Sequence, residues 1–203
     1  KEKGIPIVKT ERQALDRIGG GASHQGVAAY VSAYAYAQMD DILAKAQSAG
    51  EEPFVIILDG LEDPHNLGAI MRTAECAGAH GIIIPKRNSC GLTETVAKTS
   101  AGAIEYMPCV KVSNIVRTID ELKTMGFWIA ACDMGGQEYY RTDLRGKLAV
   151  VIGGEGNGIS RLVKEACDFT VSMPMKGKIT SLNASNAAAV LMYEVRRQRD
   201  GER

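Results

Sequence analysis

The fold of this chain is decided around Val150-Val-Ile-Gly-Gly-Glu-Gly-Asn-Gly-Ile-Ser160, where an apolar run passes into a loop with four glycines. A second run, Val171-Ser-Met-Pro-Met-Lys-Gly-Lys-Ile-Thr-Ser-Leu-Asn-Ala-Ser-Asn186, makes the same change from apolar residues to Gly, Ser and Asn. Each apolar run is typical of a buried strand. Glycine lets backbone approach a ligand because no Cβ stands in the way. Two such loops in one small domain predict a ligand pocket built largely from backbone.

The alternation of strand and helix extends from these loops back to Pro53. Strands are predicted at residues 54–58, 81–84, 106–110, 127–132, 148–152 and 169–173, and helices at 66–77, 94–100, 113–125, 160–166 and 183–198. Ser113 is expected to cap the third of these helices and Gly126 to stop it. The alternation predicts an α/β fold, a parallel sheet with helices on both faces. Such sheets bind ligands beyond the carboxyl ends of their strands, where both glycine-containing loops lie.

The first 50 residues have a different organisation. Helices are predicted at residues 11–18 and 40–49, with flexible Gly19-Gly-Gly-Ala-Ser23 and an extended segment at 24–31 between them. The chain starts at Lys1, partway into a strand-like run at 4–8, so we expect that N-terminal material is missing. A domain boundary is expected between residues 20 and 50.

Charge and hydropathy limit the class of protein. The 203 residues carry 24 Lys and Arg against 24 Asp and Glu, a formal net charge of zero. A protein that coats nucleic acid usually has a basic surplus, so the balance disfavours that class but leaves room for a local basic face. Basic residues do concentrate in the last third. Because the chain has no signal-peptide pattern and no apolar run long enough to cross a bilayer, we expect no membrane association.

The cysteines and histidines predict no metal site. Five cysteines are an odd number, no two form a Cys-x-x-Cys pair, and the three histidines are scattered. This pattern disfavours a disulfide framework and a zinc site, and it indicates a reducing compartment such as the cytoplasm.

The loop at 153–158 lacks the marks of a phosphate site. No Gly-Lys-Ser/Thr follows it, and it comes late in the fold, unlike a dinucleotide fingerprint. Glu155 in its middle would repel a pyrophosphate. A tight strand-to-helix turn explains Gly153 and Gly158 but not four glycines among six residues. A site for an uncharged or cationic ligand fits better.

Two further segments carry candidate site residues. Asp63-Pro-His-Asn66 is expected to cap the helix that follows it, and Arg72 lies on that helix. A surface or salt-bridged arginine is the default interpretation of Arg72, although a strand end and an Asn flank it. Ser181 or Asn183 is expected to cap the last helix, which leaves Ser and Asn side chains that one cap cannot use.

Together these segments resemble the SpoU (TrmH-like) branch of the SPOUT superfamily, the RNA ribose 2′-O-methyltransferases. The family's first motif is an Asn followed six residues later by an Arg, matched by Asn66 and Arg72. The second is the Gly-x-Glu-Gly-x-Gly loop at 153–158. The third is a strand ending in Met-Pro-Met, at 172–175, with Ser-Leu-Asn-x-Ser at 181–185. All three are in order, over residues 53–199.

The resemblance implies S-adenosylmethionine as cofactor, a homodimer, and a deep trefoil knot near the C-terminus, a rare feature. The residues it implies for cofactor binding are Gly153, Gly154, Met173 and Leu182, and for catalysis Asn66, Arg72, Glu155, Ser181 and Asn183. Glu155 then lies near a cationic sulfonium. Arg72 is the family's proposed base, but arginine stays protonated in proteins. An alternative is that it holds the target phosphate and stabilises the developing alkoxide.

The resemblance also implies a domain division and a substrate. Residues 24–28 resemble the linker of members with an N-terminal L30e-like RNA-binding domain. We therefore expect a remnant of that domain at 1–20, a linker and first helix at 21–50, and the knotted methyltransferase domain at 51–203. A guanosine of 23S rRNA is the favoured target and a tRNA guanosine the alternative. A catalytically inactive RNA-binding relative is disfavoured by the intact motif residues, and another nucleotide-dependent enzyme by the missing phosphate motifs.

Overall fold

The computed structural model describes residues 8–21, 23–28 and 34–201. The chain divides into two compact units, the first ending at Ala33 and the second starting at Tyr34. In the first unit, α1 spans Arg12–Gly19 and ends in the left-handed residue Gly20 (φ 55°). The predicted strand at 4–8 lies outside the described residues, apart from its last residue.

The prediction of an extended segment at 24–31 is wrong for residues 24–28, which the structure describes. Residues 25 and 26 both have positive φ, and the Val27 amide donates to the His24 carbonyl at 2.9 Å. The chain therefore turns at this point. The His24 ring lies 2.8 Å from an Asp16 carboxylate oxygen and accepts a hydrogen bond from the Gly26 amide, which holds the turn. Residues 29–31 lie outside the described part of the chain.

The second unit contains a six-stranded parallel sheet, as predicted. Its strands are β1 (Phe54–Asp59), β2 (Gly81–Pro85), β3 (Cys109–Val112), β4 (Trp128–Glu138), β5 (Leu148–Gly153) and β6 (Phe169–Ser172). Their order across the sheet is β3-β2-β1-β5-β4-β6. After β5 the chain passes over β4 to reach β6. β1 and β5 lie side by side in the middle of the sheet. The trefoil knot implied by the resemblance stays a prediction.

Helices cover both faces of the sheet. They are α2 (Met39–Ala49), α3 (Pro64–Cys76), α4 (Glu94–Thr99), α5 (Ile115–Thr124), α6 (Arg161–Ala166) and α7 (Ala184–Asp200). Side chains of β1 alternate between two apolar cores: Ile56 packs with α3 and α7, and Ile57 packs with α2, α5 and α6. This two-sided burial explains why the central strands are continuous apolar runs. Within the described residues, no helix is long and apolar enough to span a bilayer.

Three predictions of element ends or caps are wrong. The strand predicted at 127–132 continues to Glu138. The third strand was placed at 106–110, but residues 103–105 form a 3₁₀ turn and the strand starts at Cys109. The cap of α5 is Asn114, whose side chain accepts the Arg117 amide at 3.0 Å, and not Ser113. Ser and Asn are both good caps, so residue type alone could not distinguish Ser113 from Asn114.

Candidate active site

The candidate site lies beyond the carboxyl ends of β1 and β5. The Asp59 carbonyl at the end of β1 accepts the Gly154 amide at 2.8 Å, and the Asp59 carboxylate accepts the Ser160 amide at 2.7 Å. Gly158 donates back to Gly154 at 3.1 Å. These bonds hold the glycine loop at both ends and close it on itself.

Close backbone contacts explain two of the loop's glycines. A Cβ on Gly154 would overlap the Gly60 carbonyl, and a Cβ on Gly153 would overlap the backbone of Gly158. Neither neighbouring atom belongs to a flexible side chain, so neither can yield easily. The loop therefore depends on glycine at both positions for its shape.

A polar cluster joins three of the predicted catalytic residues. Glu155 Oε1 accepts Asn66 Nδ2 at 2.8 Å and Asn183 Nδ2 at 2.7 Å, and Asn183 Nδ2 is 3.1 Å from Asn66 Oδ1. Asn66 is buried in the first turn of α3, which Asp63 caps by accepting the His65 amide. Asn183 caps α7, and its Oδ1 accepts the Ser185 amide at 2.9 Å. Three separate elements therefore fix one carboxylate.

Two cavities meet at this cluster and share the glycine loop. The acidic cavity, of about 490 Å³, contains four carboxylates and is lined by Asp59, Gly60, Leu61, Glu62, Asp63, Asn66, Asn88, Gly154, Glu155, Asn157, Gly158 and Ser160. The methionine cavity, of about 630 Å³, is lined by residues 132–134, 152–158, 173, 175, 180–184 and 187, including three methionines. Both volumes suit small ligands. Glu155 lines both cavities, so a group bound in one faces a group bound in the other across this residue.

The predicted cofactor residues all line the methionine cavity. Gly153, Gly154, Met173 and Leu182 contribute to its wall, as does the predicted catalytic residue Ser181. Met173 packs against the main core, whereas Leu182 is 44% exposed. Apolar side chains beside exposed backbone suit a flat ring and a sugar, and the Glu155 carboxylate suits a cationic group. The methionine cavity therefore fits S-adenosylmethionine chemically.

Arg72 is the predicted catalytic residue that lies apart from this cluster. It is exposed on α3 and lines neither cavity. Six residues along a helix correspond to a rise of roughly 9 Å and a turn of roughly 240°. Asn66 and Arg72 therefore point in different directions from α3, and one copy of the chain does not bring them together.

The prediction missed several lining residues that follow strand ends. Asp59 ends β1 and Asn88 follows β2. Cys132 is the last residue of β4 that pairs with β5, and Asp133 and Met134 follow it. The position of ligand sites at carboxyl ends of parallel strands was the available signal. Burial raises the pKa of the Cys132 thiol to about 11, which disfavours the reactive thiolate form. No group of three or more His, Cys, Asp or Glu within the described residues could hold a metal.

Comparison with known families gives two matches. The model of the SpoU rRNA Methylase family matches residues 53–193, and the model of the RNA 2′-O ribose methyltransferase substrate-binding domain matches residues 1–37. YacO of Bacillus subtilis, which is named as a TrmH family tRNA/rRNA methyltransferase, is 54% identical over 201 residues. That alignment covers 98% of this chain and 80% of YacO.

Solved structures of SpoU and TrmH proteins are also similar to this chain. The SpoU methyltransferase AviRb from Streptomyces viridochromogenes, in complex with the cofactor AdoMet, has a TM-score of 0.75 and 28% identity. The match covers 83% of this chain but only 64% of AviRb, less than two thirds of it. A TrmH/SpoU tRNA modifying enzyme from A. aeolicus has a TM-score of 0.68 and 25% identity, over 80% of this chain and 85% of that chain.

Proposed function

Because the chain belongs to the SpoU rRNA methylase family, we propose that it transfers a methyl group from S-adenosylmethionine to a ribose 2′-hydroxyl of RNA. The favoured target is a guanosine of 23S rRNA. The observation that carries the proposal is the Asn66–Glu155–Asn183 cluster, which lies between two cavities of ligand size. Such an arrangement suits a reaction between two bound molecules.

The methyl donor is S-adenosylmethionine, which AviRb holds in its crystal structure. When bound, it supplies an electrophilic methyl group on a positively charged sulfur. In this chain the methionine cavity would hold it, with Met173 and Leu182 beside the adenine or ribose and the backbone of the glycine loop as hydrogen-bonding partner. Glu155 places a carboxylate at the junction of the cavities, where a positive charge is stabilised.

The acidic cavity would then hold the target nucleotide. Catalysis here depends mainly on holding the ribose hydroxyl in line with the donor methyl. The Asn66 and Asn183 amides orient the Glu155 carboxylate through hydrogen bonds, and Ser181 lines the methionine cavity. Arg72 is proposed to hold the target phosphate and to stabilise the negative charge that develops on the 2′-oxygen.

A homodimer would reconcile the proposed role of Arg72 with its position. Arg72 is exposed and points away from the cluster on α3, and a second copy whose site faces it would give it a site to serve. Exposed apolar side chains on α7 and just before it support such an interface. They are Ile179 at 75% exposure, Leu182 at 44%, Val190 at 39% and Tyr193 at 53%.

The proposal is tested by methyl transfer and by mapping. Purified protein, labelled S-adenosylmethionine and total RNA from cells lacking the gene are expected to give 2′-O-methylation at one rRNA position. A tRNA target is the second candidate, supported by the likeness to a tRNA modifying enzyme. A mark missing only from tRNA in the deletion strain would favour it over rRNA. Binding of RNA and donor without any transfer would instead indicate an inactive relative.

The role of Glu155 is tested by Glu155→Gln. The amide keeps one oxygen acceptor for Asn66 or Asn183 but removes the negative charge, so we expect turnover to fall about 100-fold while the fold is kept. Glu105→Gln, an exposed change in the 3₁₀ turn at 103–105, is the matched control and should retain full turnover. Turnover of Glu155→Gln within twofold of the unaltered protein would remove this residue from the mechanism.

A further inference from the structure

Most cationic side chains of the second unit have an ion-pair or hydrogen-bond partner within the chain. In residues 34–201, lysines and arginines form ion pairs with Asp or Glu, or donate to backbone carbonyls or a tyrosine hydroxyl. The exceptions within that range are Arg72, Lys86, Arg87, Lys176 and Lys178, all of them exposed. Free cations are therefore concentrated at few places on a protein whose formal charge is zero.

Four of these five cations lie in two loops at the carboxyl edge of the sheet. Lys86 and Arg87 follow β2, and the next residue, Asn88, lines the acidic cavity. Lys176 and Lys178 follow β6, and the preceding residue, Met175, lines the methionine cavity. None of the four cations is part of a cavity wall. Each pair therefore lies just outside the cavity that its neighbour lines.

The first of these loops is held in place by backbone hydrogen bonds. The Lys86 amide donates to the Val112 carbonyl at 2.8 Å, and the Cys90 amide donates to the Leu61 carbonyl at 2.9 Å. The loop is thus tied to β3 on one side and to the wall of the acidic cavity on the other. Asn88 has a left-handed backbone (φ 53°) at its tip. A fixed loop binds a ligand with less loss of conformational freedom than a mobile one.

The interior of the acidic cavity has the opposite charge. Glu62 lines it with no described partner, and Asp59, Asp63 and Glu155 add three carboxylates that accept hydrogen bonds. A phosphate would be repelled from this interior. A ribose hydroxyl or a base amino group is neutral and donates hydrogen bonds, so carboxylates can accept it.

We propose that the two loops bind phosphates of the nucleotides that flank the target, beyond the phosphate assigned to Arg72, while the acidic interior admits only the sugar and base of the target. One loop carries Lys86 and Arg87, and the other carries Lys176 and Lys178. This proposal rests on the proposed function for the identity of the reaction, but the RNA-binding part can be measured without it. Phosphate contacts fix the register of a bound strand. The charge pattern thereby selects which part of the nucleotide enters the cavity.

The test removes each cation pair and measures RNA binding. The probe is a fluorescein-labelled RNA hairpin of mixed sequence, titrated over a range of salt concentrations, because phosphate contacts do not depend on sequence. Lys86→Gln with Arg87→Gln, and Lys176→Gln with Lys178→Gln, are each expected to weaken binding about tenfold and to flatten the salt slope by about 1 to 2. The double exchange Lys86→Arg with Arg87→Lys keeps both charges and should retain affinity.

The matched control is Arg145→Gln with Lys147→Gln. This pair is exposed, precedes β5 at the opposite edge of the sheet, and removes the same charge. When the formation of methylated RNA is measured, the two variants that lack a cation pair are expected to have a higher KM for RNA. Their kcat and their affinity for S-adenosylmethionine should be unchanged. Thermal unfolding of each variant checks that the charges were removed without loss of the fold.

Two results would overturn the inference. One is a loss of RNA affinity no larger than that of the control pair. The other is a fall in kcat with unchanged RNA affinity, which would place these cations in the chemistry instead of in binding. Salt-dependent RNA binding by a protein that transfers no methyl group would reject the proposed function and leave the phosphate-binding loops standing.

Discussion

The absence of a side chain at Gly154 determines the shape of the loop that lines both cavities. The backbone of Gly154 passes against the Gly60 carbonyl with no space for a Cβ, and its amide donates to Asp59. The next residue is Glu155, which joins Asn66 and Asn183. The position of the central carboxylate therefore depends on the preceding residue having no side chain.

Gly154→Ala tests this dependence. Because the added Cβ would overlap backbone, we expect the loop to shift, the free energy of unfolding to fall by about 1–3 kcal/mol, and donor affinity to fall about tenfold. Calorimetric titration with S-adenosylmethionine and urea unfolding measure the two effects. Gly177→Ala is the control, since Gly177 is exposed and its nearest atom, the Ile179 nitrogen, lies 3.9 Å from the added Cβ. Equal behaviour of the two variants would contradict the packing argument.

His80 gives the second unit a pH-dependent stability. Its Nδ1 accepts the Phe54 amide at 2.9 Å, a role that requires the neutral ring, and burial lowers its pKa to about 4 despite nearby Glu51. The unfolded chain has the ordinary pKa of about 6.5 and binds the proton first as pH falls. The contribution of His80 is therefore complete above pH 6.5 and is lost progressively between about 6.5 and 4.

We expect the free energy of unfolding to fall by roughly 2 kcal/mol from this group between pH 7.5 and pH 5. Urea unfolding at both pH values measures it. His80→Gln should have a lower free energy of unfolding at pH 7.5, but that free energy should fall less between pH 7.5 and pH 5. The exposed change His65→Gln should show the same pH dependence of stability as the unaltered protein. An unchanged pH dependence in His80→Gln would show that other groups carry the effect.

At the scale of elements, capping residues set where the helices start. Asp63 begins α3, Asn114 begins α5 and Asn183 begins α7, each by accepting backbone amides of the first turn. Two of these caps lie in the candidate site. Asp63 and Asn183 therefore both begin a helix and fix the geometry of the candidate site.

Asn114→Ala tests the cap assignment on a helix away from the site. Loss of its hydrogen bond to the Arg117 amide should lower the free energy of unfolding by about 1 kcal/mol. Ser113→Ala should change it by less than about 0.5 kcal/mol, because Ser113 is exposed and does not cap the helix. Chemical denaturation of both variants decides between the two positions, and a larger loss for Ser113→Ala would reverse the assignment.

At the scale of the whole molecule, the site is incomplete without Arg72 if that residue acts in catalysis. Co-expression with two affinity tags can isolate a dimer of one Arg72→Ala subunit and one Glu155→Gln subunit. If each site takes Arg72 from the partner copy, one of the two sites in this mixed dimer is intact, and about half of the activity should return. Each uniform dimer should be nearly inactive.

No recovery in the mixed dimer would mean that Arg72 acts within its own chain. A monomer by light scattering would reject the homodimer itself. Tyr193→Asp, which places a charge on the exposed apolar surface of α7, should weaken the dimer and lower activity in parallel. The exposed Tyr106, at 71% exposure on a different element, provides the control Tyr106→Asp.

Sequence by itself determined the class of fold and supplied the candidate site residues. The spacing of apolar residues and the length of each apolar run distinguish buried strands from helices, because both are local properties of the sequence. The resemblance to the family identified the motif residues. Only the tertiary structure decided how they meet. Asn66 and Glu155 are 89 positions apart, and Asn66 and Asn183 are 117 apart. They converge because β1 and β5 are neighbours in the sheet, and strand order depends on long-range pairing that local pattern does not encode. The same strand order brings four cations without a described partner, within residues 34–201, to the loops beside the two cavities.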